Sequence, residues 1–318
     1  MIYNRCRMRT SGIFYPITLN MKKIICIYAA LIGLSFTSLA QAQKPTGQQV
    51  QIIENGLRFC ESTYPYEGGI LIANFGTQEL NPLNTEGKGY ILHYNKEGKL
   101  QPFITADGNL SAPKGMFIRE SHLFVCDVNK IVVYDLNRLE AAPQILSFPE
   151  GHLFVNDLAA IGNILYASVT NTDKIFSIDI SDVRKAGQPV EWLTIPGPNG
   201  LLADNNQLYV ASYPADGNTQ DKHTIYRVTN LAQPQSEKVI EIPGQYDGIA
   251  FSTDKASLYI TNWSPAGLSK IDLKTGKTVP VSIQLDKALM GPADITVANH
   301  RIYIPDLPNS RVVMVKEQ

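Results

Sequence analysis

The sequence predicts an all-β six-bladed propeller with four-stranded antiparallel blades, its ring closed by an N-terminal strand joining the last blade. Three observations carry this. A short element recurs along the chain at a nearly constant period. Each repeat divides into four short β-rich runs. The last repeat lacks one run, and the N-terminal region has one to spare.

The element appears as Pro113-Lys114-Gly115, Val155-Asn156-Asp157, Pro198-Asn199-Gly200, Tyr246-Asp247-Gly248 and Pro292-Ala293-Asp294. Taken at its third residue, the copies lie 42, 43, 48 and 46 residues apart. A more divergent copy begins at Cys60-Glu61-Ser62, which makes six. Each element precedes an apolar run such as Leu123-Phe124-Val125-Cys126-Asp127 or Leu208-Tyr209-Val210-Ala211-Ser212. In the fourth copy the strands are expected at 200–203, 207–212, 224–228 and 238–242, separated by Asn, Gly, Pro and Asp turns. Four strands in about 45 residues is the propeller period, and the 3.6-residue periodicity of a helical solenoid is absent. The sixth copy supplies three strands, at 295–298, 301–304 and 312–315. The run 49–54 is the expected fourth, which would remove an exposed sheet edge.

Residues 1–42 read as an extension and a secretory signal, and 43–318 as one propeller domain. Lys22 and Lys23 precede an apolar run, and Ala40-x-Ala42 follows as a cleavage site. Met21 is the expected true start. The apolar run is short for a membrane span, and no later segment is a candidate. The expectation is therefore an exported protein, periplasmic or extracellular. With 28 Lys and Arg against 29 Asp and Glu, nothing points to nucleic acid. Cys60 and Cys126 lie in strand-like runs and read as buried thiols, although an exported compartment permits a bridge. The five histidines show no metal-ligand spacing. No Gly-x-Ser-x-Gly element, Walker loop or Cys-x-x-Cys pair is present.

In an antiparallel blade, the loop entering the innermost strand shares a face with the loop between the second and third strands. Two loops of the latter kind, 75–89 and 213–223, are long, as functional loops often are. The middle residue of each element should approach the axis on that face: Glu61, Lys114, Asn156, Asn199, Asp247 and Ala293. Two carboxylates and two amides there suit a hard divalent cation, calcium or magnesium. Phe75, Tyr213 and Trp263 each follow a second strand and should stand around the same well, where an aromatic stacks on a sugar or packs between blades. Trp192 belongs to an outer strand and is expected in the core. Asp157 and Asp294 fill the repeat's glycine position and are expected to bond between blades.

On these residues the chain resembles the senescence-marker-protein/gluconolactonase (regucalcin-like) family of six-bladed propellers. Glu61 in Cys-Glu-Ser, Asn199 in Gly-Pro-Asn-Gly-Leu and Asp247 in Tyr-Asp-Gly-Ile-Ala match the family's metal-holding elements. Asn156 in Phe-Val-Asn-Asp matches the Asn that contacts substrate or water. The resemblance implies a divalent-metal-dependent lactonase acting on a small lactone of sugar-acid type. The metal would be calcium first, with magnesium, zinc or manganese as alternatives. Asp247 would be catalytic as well as a ligand, and Asn156, Lys114, Tyr213 and Trp263 would contact the substrate. The chain departs from the pattern at Thr63, which replaces a proline, and at Lys114. A lysine at the axis would compete with a cation for Glu61 and Asp247. The alternative is thus a non-catalytic binding or scaffold propeller of the cell envelope, with Lys114 in place of the metal and no cofactor.

Overall fold

The computed structural model describes residues 50–317, and the signal and cleavage site read at 1–42 lie outside them. The described residues form six four-stranded antiparallel sheets arranged as blades. The innermost strands are Cys60–Tyr66, Met116–Arg119, Val155–Ile161, Pro198–Asp204, Tyr246–Phe251 and Thr296–Ala298. Val50–Ile53 pairs with Arg311–Lys316, with Val50 opposite Val315, and completes the sixth blade as expected. Among the described residues no helix is long and apolar enough to cross a membrane.

The apolar runs are near-continuous because both faces of each second strand are buried. In His122–Asp127, Leu123 and Val125 pack toward the first blade, while Phe124 and Cys126 pack toward the third. Alternate residues of one strand thus belong to two inter-blade cores. Burying each such side chain contributes roughly 1.5–3 kcal/mol. Trp192 packs against Tyr166, with ring centroids 4.4 Å apart, and its Nε1 donates to Leu231 O, so it is a packing residue as expected. Cys60 and Cys126 are free, buried thiols, and no bridge joins them.

The outer strand of the fourth blade is Gln235–Lys238, not the expected 238–242. All four of its residues are exposed. Hydropathy drew the expectation to Val239 and Ile240, which pack onto the blade core just beyond the strand. Edge pairing leaves a strand without an apolar signature.

Four of the six innermost strands carry an irregularity in their pairing at the repeated element. The register shifts between Cys60 and Ser62, Val155 and Leu158, Pro198 and Leu201, and Tyr246 and Ile249. A bulge re-aims side chains, and these bulges fall on Glu61, Asn156, Asn199 and Asp247. Beside them the next blade's backbone leaves little room. A Cβ on Gly200 would lie 2.2 Å from Asp247 O, and one on Gly248 would lie 2.5 Å from Ile295 N.

Gly200→Ala is therefore expected to cost about 1–3 kcal/mol through overpacking. Gly267 has open space around its Cβ position, so Gly267→Ala should leave stability unchanged or slightly raised. Denaturant unfolding of the two variants beside wild type checks the contrast. Equal midpoints would show that the inter-blade contact is not limiting.

Candidate functional site

One mouth of the channel opens into a cavity of about 170 Å³. Glu61, Lys114, Asn156, Asn199, Tyr213, Asp247 and Trp263 all line it, so every side chain expected to hold a metal or contact substrate comes to one place. Phe75 and Pro82 from the first long loop, and Tyr213 and Ala215 from the second, form parts of the wall. Ala293 does not line it. It is buried in an apolar cluster with Phe75 and Leu307.

The backbone of the axial residues is anchored across blade boundaries. Gly115 N–H donates to Asn156 O at 2.9 Å, and Asp294 N–H donates to Glu61 O at 3.1 Å. Ser168 Oγ donates to Asn199 O at 2.6 Å, and Thr170 Oγ1 to Pro198 O at 2.8 Å. The side chains are only partly bonded, with the Asn199 amide reaching Asp247. Glu61 Oε2, Asn156 Oδ1, Asn199 Oδ1 and Asp247 Oδ1 are buried and have no hydrogen-bond partner. Buried polar atoms normally find one. Four unpartnered oxygens thus belong to side chains that line one cavity. Among the described residues no three His, Cys, Asp or Glu side chains gather as a metal site. The set here is two carboxylates and two amides, all oxygen, as hard cations prefer.

Lys114 does not fill the gap. Its Nζ donates to Ala112 O at 2.9 Å and Pro82 O at 3.3 Å, beside the rings of Phe75 and Phe154. It forms no ion pair within 4.0 Å of Glu61 or Asp247. Asp127 fixes this arrangement by accepting from Ser111 N–H and Ala112 N–H.

Burial pushes the Glu61 carboxyl well above its usual range, and the Asp247 charge adds to this while Lys114 opposes it. Burial likewise pushes Asp247 up to about 8, with Asp294 adding and Lys114 and the Asn199 amide pulling the other way. Burial lowers the Lys114 ammonium, which Glu61 partly restores. The Tyr213 hydroxyl is pushed up to about 12 by burial, helped by the Asp247 charge.

Asp157 and Asp294 line the opposite mouth, a cavity of about 570 Å³. Both bond between blades. Asp157 Oδ2 accepts from Leu201 N–H at 2.6 Å, and Asp294 Oδ2 accepts from Ser62 Oγ at 2.5 Å.

Phe154, Thr170 and Leu307 line the well without having been singled out in the sequence. For two of them a signal existed. The residues directly after the second strands are Phe75, Val128, Thr170, Tyr213, Trp263 and Leu307, and all but Val128 line the cavity. Only the aromatic members attract notice by residue type. Phe154 precedes the bulge of the third blade, and no pattern marked it.

Fold and cavity together define a six-bladed propeller with an oxygen-lined well at one channel mouth. Solved structures share this fold. A gluconolactonase from Xanthomonas campestris is 13% identical, with 84% of this chain and 89% of that chain covered, at a TM-score of 0.61. A suspected gluconolactonase is 11% identical over 86% and 93% of the two chains, at 0.60. A catalytically inactive histidine-to-alanine variant of virginiamycin B lyase from Staphylococcus aureus, with quinupristin, is 15% identical over 85% and 99%, at 0.56. At these identities the likeness establishes the fold. No protein-family model and no curated protein matches the chain.

The buried carboxylates below the well link stability to pH. Burial pushes Asp294 to about 7 in the folded protein, from a usual value of 3.8. The folded state holds this proton more tightly, so the group's contribution is full below about pH 4 and is lost as pH rises to about 7. Asp294→Asn lacks that loss. Its melting temperature relative to wild type should rise across that window, as thermal scans at stepped pH would show. A constant difference would mean that Asp294 does not titrate there.

Proposed function

We propose that this protein is an exported lactonase-like hydrolase that opens a small sugar-acid-type lactone in the central well. We propose further that Glu61, Asn199 and Asp247 hold a divalent cation, calcium by preference. The observation that carries the reading is the set of four buried, unpartnered oxygens, from Glu61, Asn156, Asn199 and Asp247. A divalent cation bound there would polarise a carbonyl and stabilise negative charge developing on it.

The chain's own residues divide the remaining work. Tyr213 and Trp263 offer flat walls for a ring, and the Asn156 amide orients a substrate oxygen or a water. Phe75 and Phe154 help to keep bulk water out, which strengthens every charge interaction inside. Asp247 takes the proton of a water as the water oxygen bonds to the acyl carbon. It returns that proton to the ring oxygen as the acyl–oxygen bond breaks, and the product is the open hydroxy acid. A base that exchanges a proton readily suits this role, and burial raises the proton affinity of Asp247 above the usual carboxylate range.

Lyase chemistry of the virginiamycin B kind has less support. Loss of one histidine inactivates the lyase variant, and no histidine lines this cavity. His223 caps the rim loop instead, its Nδ1 accepting from Gln220 N–H at 3.0 Å. The binding-module reading required Lys114 among the carboxylates, and Lys114 bonds to Ala112 and Pro82 carbonyls.

Elemental analysis of the purified protein should find a stoichiometric divalent ion, and a chelator should abolish hydrolysis of five- and six-membered aldonolactones. Asp247→Asn should lower kcat by about 10²–10⁴-fold, the usual range for a lost general base. Glu61→Gln should weaken cation binding measured by calorimetry. Full activity of the stripped protein, or of Asp247→Asn, would overturn the reading.

A further inference from the structure

The hydrolase chemistry above leaves one charged group in the well without a task. Lys114 is 1% exposed. Two carbonyls, of Ala112 and Pro82, take two of its N–H groups, and Nζ lies 5.4 and 5.5 Å from the ring centroids of Phe75 and Phe154. The third N–H has no acceptor in the protein, and the residue lines the cavity. Its carbonyl partners belong to the first long loop and to the segment entering the second blade, so the lysine is held to the cavity wall and away from the free oxygens.

A buried ammonium is costly without a compensating charge. Glu61, then Asp127 and Asp247, supply that charge at longer range, none of them bonded to Nζ. A divalent cation held between Glu61 and Asp247 would cancel both. Among the side chains lining the well, Lys114 would then carry the one remaining charge, answered only at longer range by Asp127, which does not line it. A neutral ligand leaves that charge unpaired, whereas an anionic ligand pairs with it at short range through the free N–H.

We infer that the natural ligand of this well carries a carboxylate of its own, seated on Lys114 Nζ, in addition to the ring that the well opens. The substrate class is then a lactone retaining a free acid group, such as a lactone of a dicarboxylic sugar acid, in preference to a neutral aldonolactone. This inference rests on the cation-holding reading proposed above. Lys114 acts in it as a specificity-determining residue.

Methyl glucoside and methyl glucuronide test it. They share a ring, neither is a lactone, and they differ in a hydroxymethyl group against a carboxylate. Binding to the calcium-loaded protein is read by calorimetry, with calcium uptake measured separately. Wild type should bind the glucuronide at least about tenfold more tightly than the glucoside, one charge-assisted hydrogen bond's worth of discrimination. Lys114→Met should bring the two ligands level while keeping calcium uptake. Lys114→Arg should keep part of the preference, and thermal melting shows whether each variant is folded. Wild type that binds both alike or neither, or a folded Lys114→Met protein that keeps the preference, overturns the inference and not the hydrolase reading. Protein that takes up none of calcium, magnesium, manganese and zinc overturns both.

Discussion

The innermost strands of neighbouring blades touch backbone to backbone, and most of the molecule's organisation follows from that contact. Where Gly115 N–H meets Asn156 O, and Asp294 N–H meets Glu61 O, one blade completes the hydrogen bonding of the next. Such close approach requires either no side chain or one that crosses the boundary itself. Gly200 and Gly248 meet the first condition, with the neighbouring backbone 2.2 and 2.5 Å from where a Cβ would stand. Asp157 and Asp294 meet the second, their carboxylates accepting from Leu201 N–H and Ser62 Oγ in the adjoining blades. The third position of the repeated element is therefore Gly, Asp or, in the first copy, Ser62, whose Oγ also crosses the boundary to Asp294. The residue before it is displaced from regular pairing by the same bulge.

That displacement turns a structural repeat into a site. Glu61, Asn156 and Asn199 are anchored across the blade boundary by their main chain, and at all four bulges the side chain enters the well. Backbone hydrogen bonding is then largely complete, and side-chain bonding is not. Glu61, Asn156, Asn199 and Asp247 each keep one buried oxygen without a partner. An unmade hydrogen bond at a buried group costs about 1–3 kcal/mol, so the arrangement stores destabilisation that a bound group can relieve. Burial also raises the proton affinity of both carboxylates. Lys114 opposes that rise through space, without a direct bond to either.

The ring and the membership of the well were legible because they depend on residue type at fixed period. Glycine, proline, asparagine and aspartate mark the bulges, and doubly buried strands read as unbroken apolar runs. Long loops marked the rim correctly, as Pro82 and Ala215 show by lining the cavity. The outer strand Gln235–Lys238 was misplaced because an exposed edge is held by hydrogen bonds that hydropathy does not register. Thr170 and Leu307 escaped because the position after a second strand, not the residue type, puts them in the well. The direction of Lys114 was illegible for a different reason. It depends on two carbonyls, of Pro82 and Ala112, the second of which is placed by Asp127 accepting from Ala112 N–H. Nothing in a one-dimensional pattern states where a carbonyl oxygen points.

The same scaffold serves a gluconolactonase and a virginiamycin B lyase among its solved neighbours, so the fold cannot select the chemistry and the lining must. Here the lining contains acids, amides, a lysine and aromatics, and no histidine. A histidine centre supplies a base that titrates near neutrality by its nature. A carboxylate reaches the same range only where burial and a neighbouring negative charge force it there. Both conditions hold at Asp247, which burial and the Asp294 charge push up to about 8. The carboxylate below the well is therefore more than a brace between blades. By accepting from Ser62 Oγ it fixes the sixth blade against the first, and by its charge it raises the proton affinity of the acid above it. The constraint that closes the ring and the one that tunes the site meet in the same side chain.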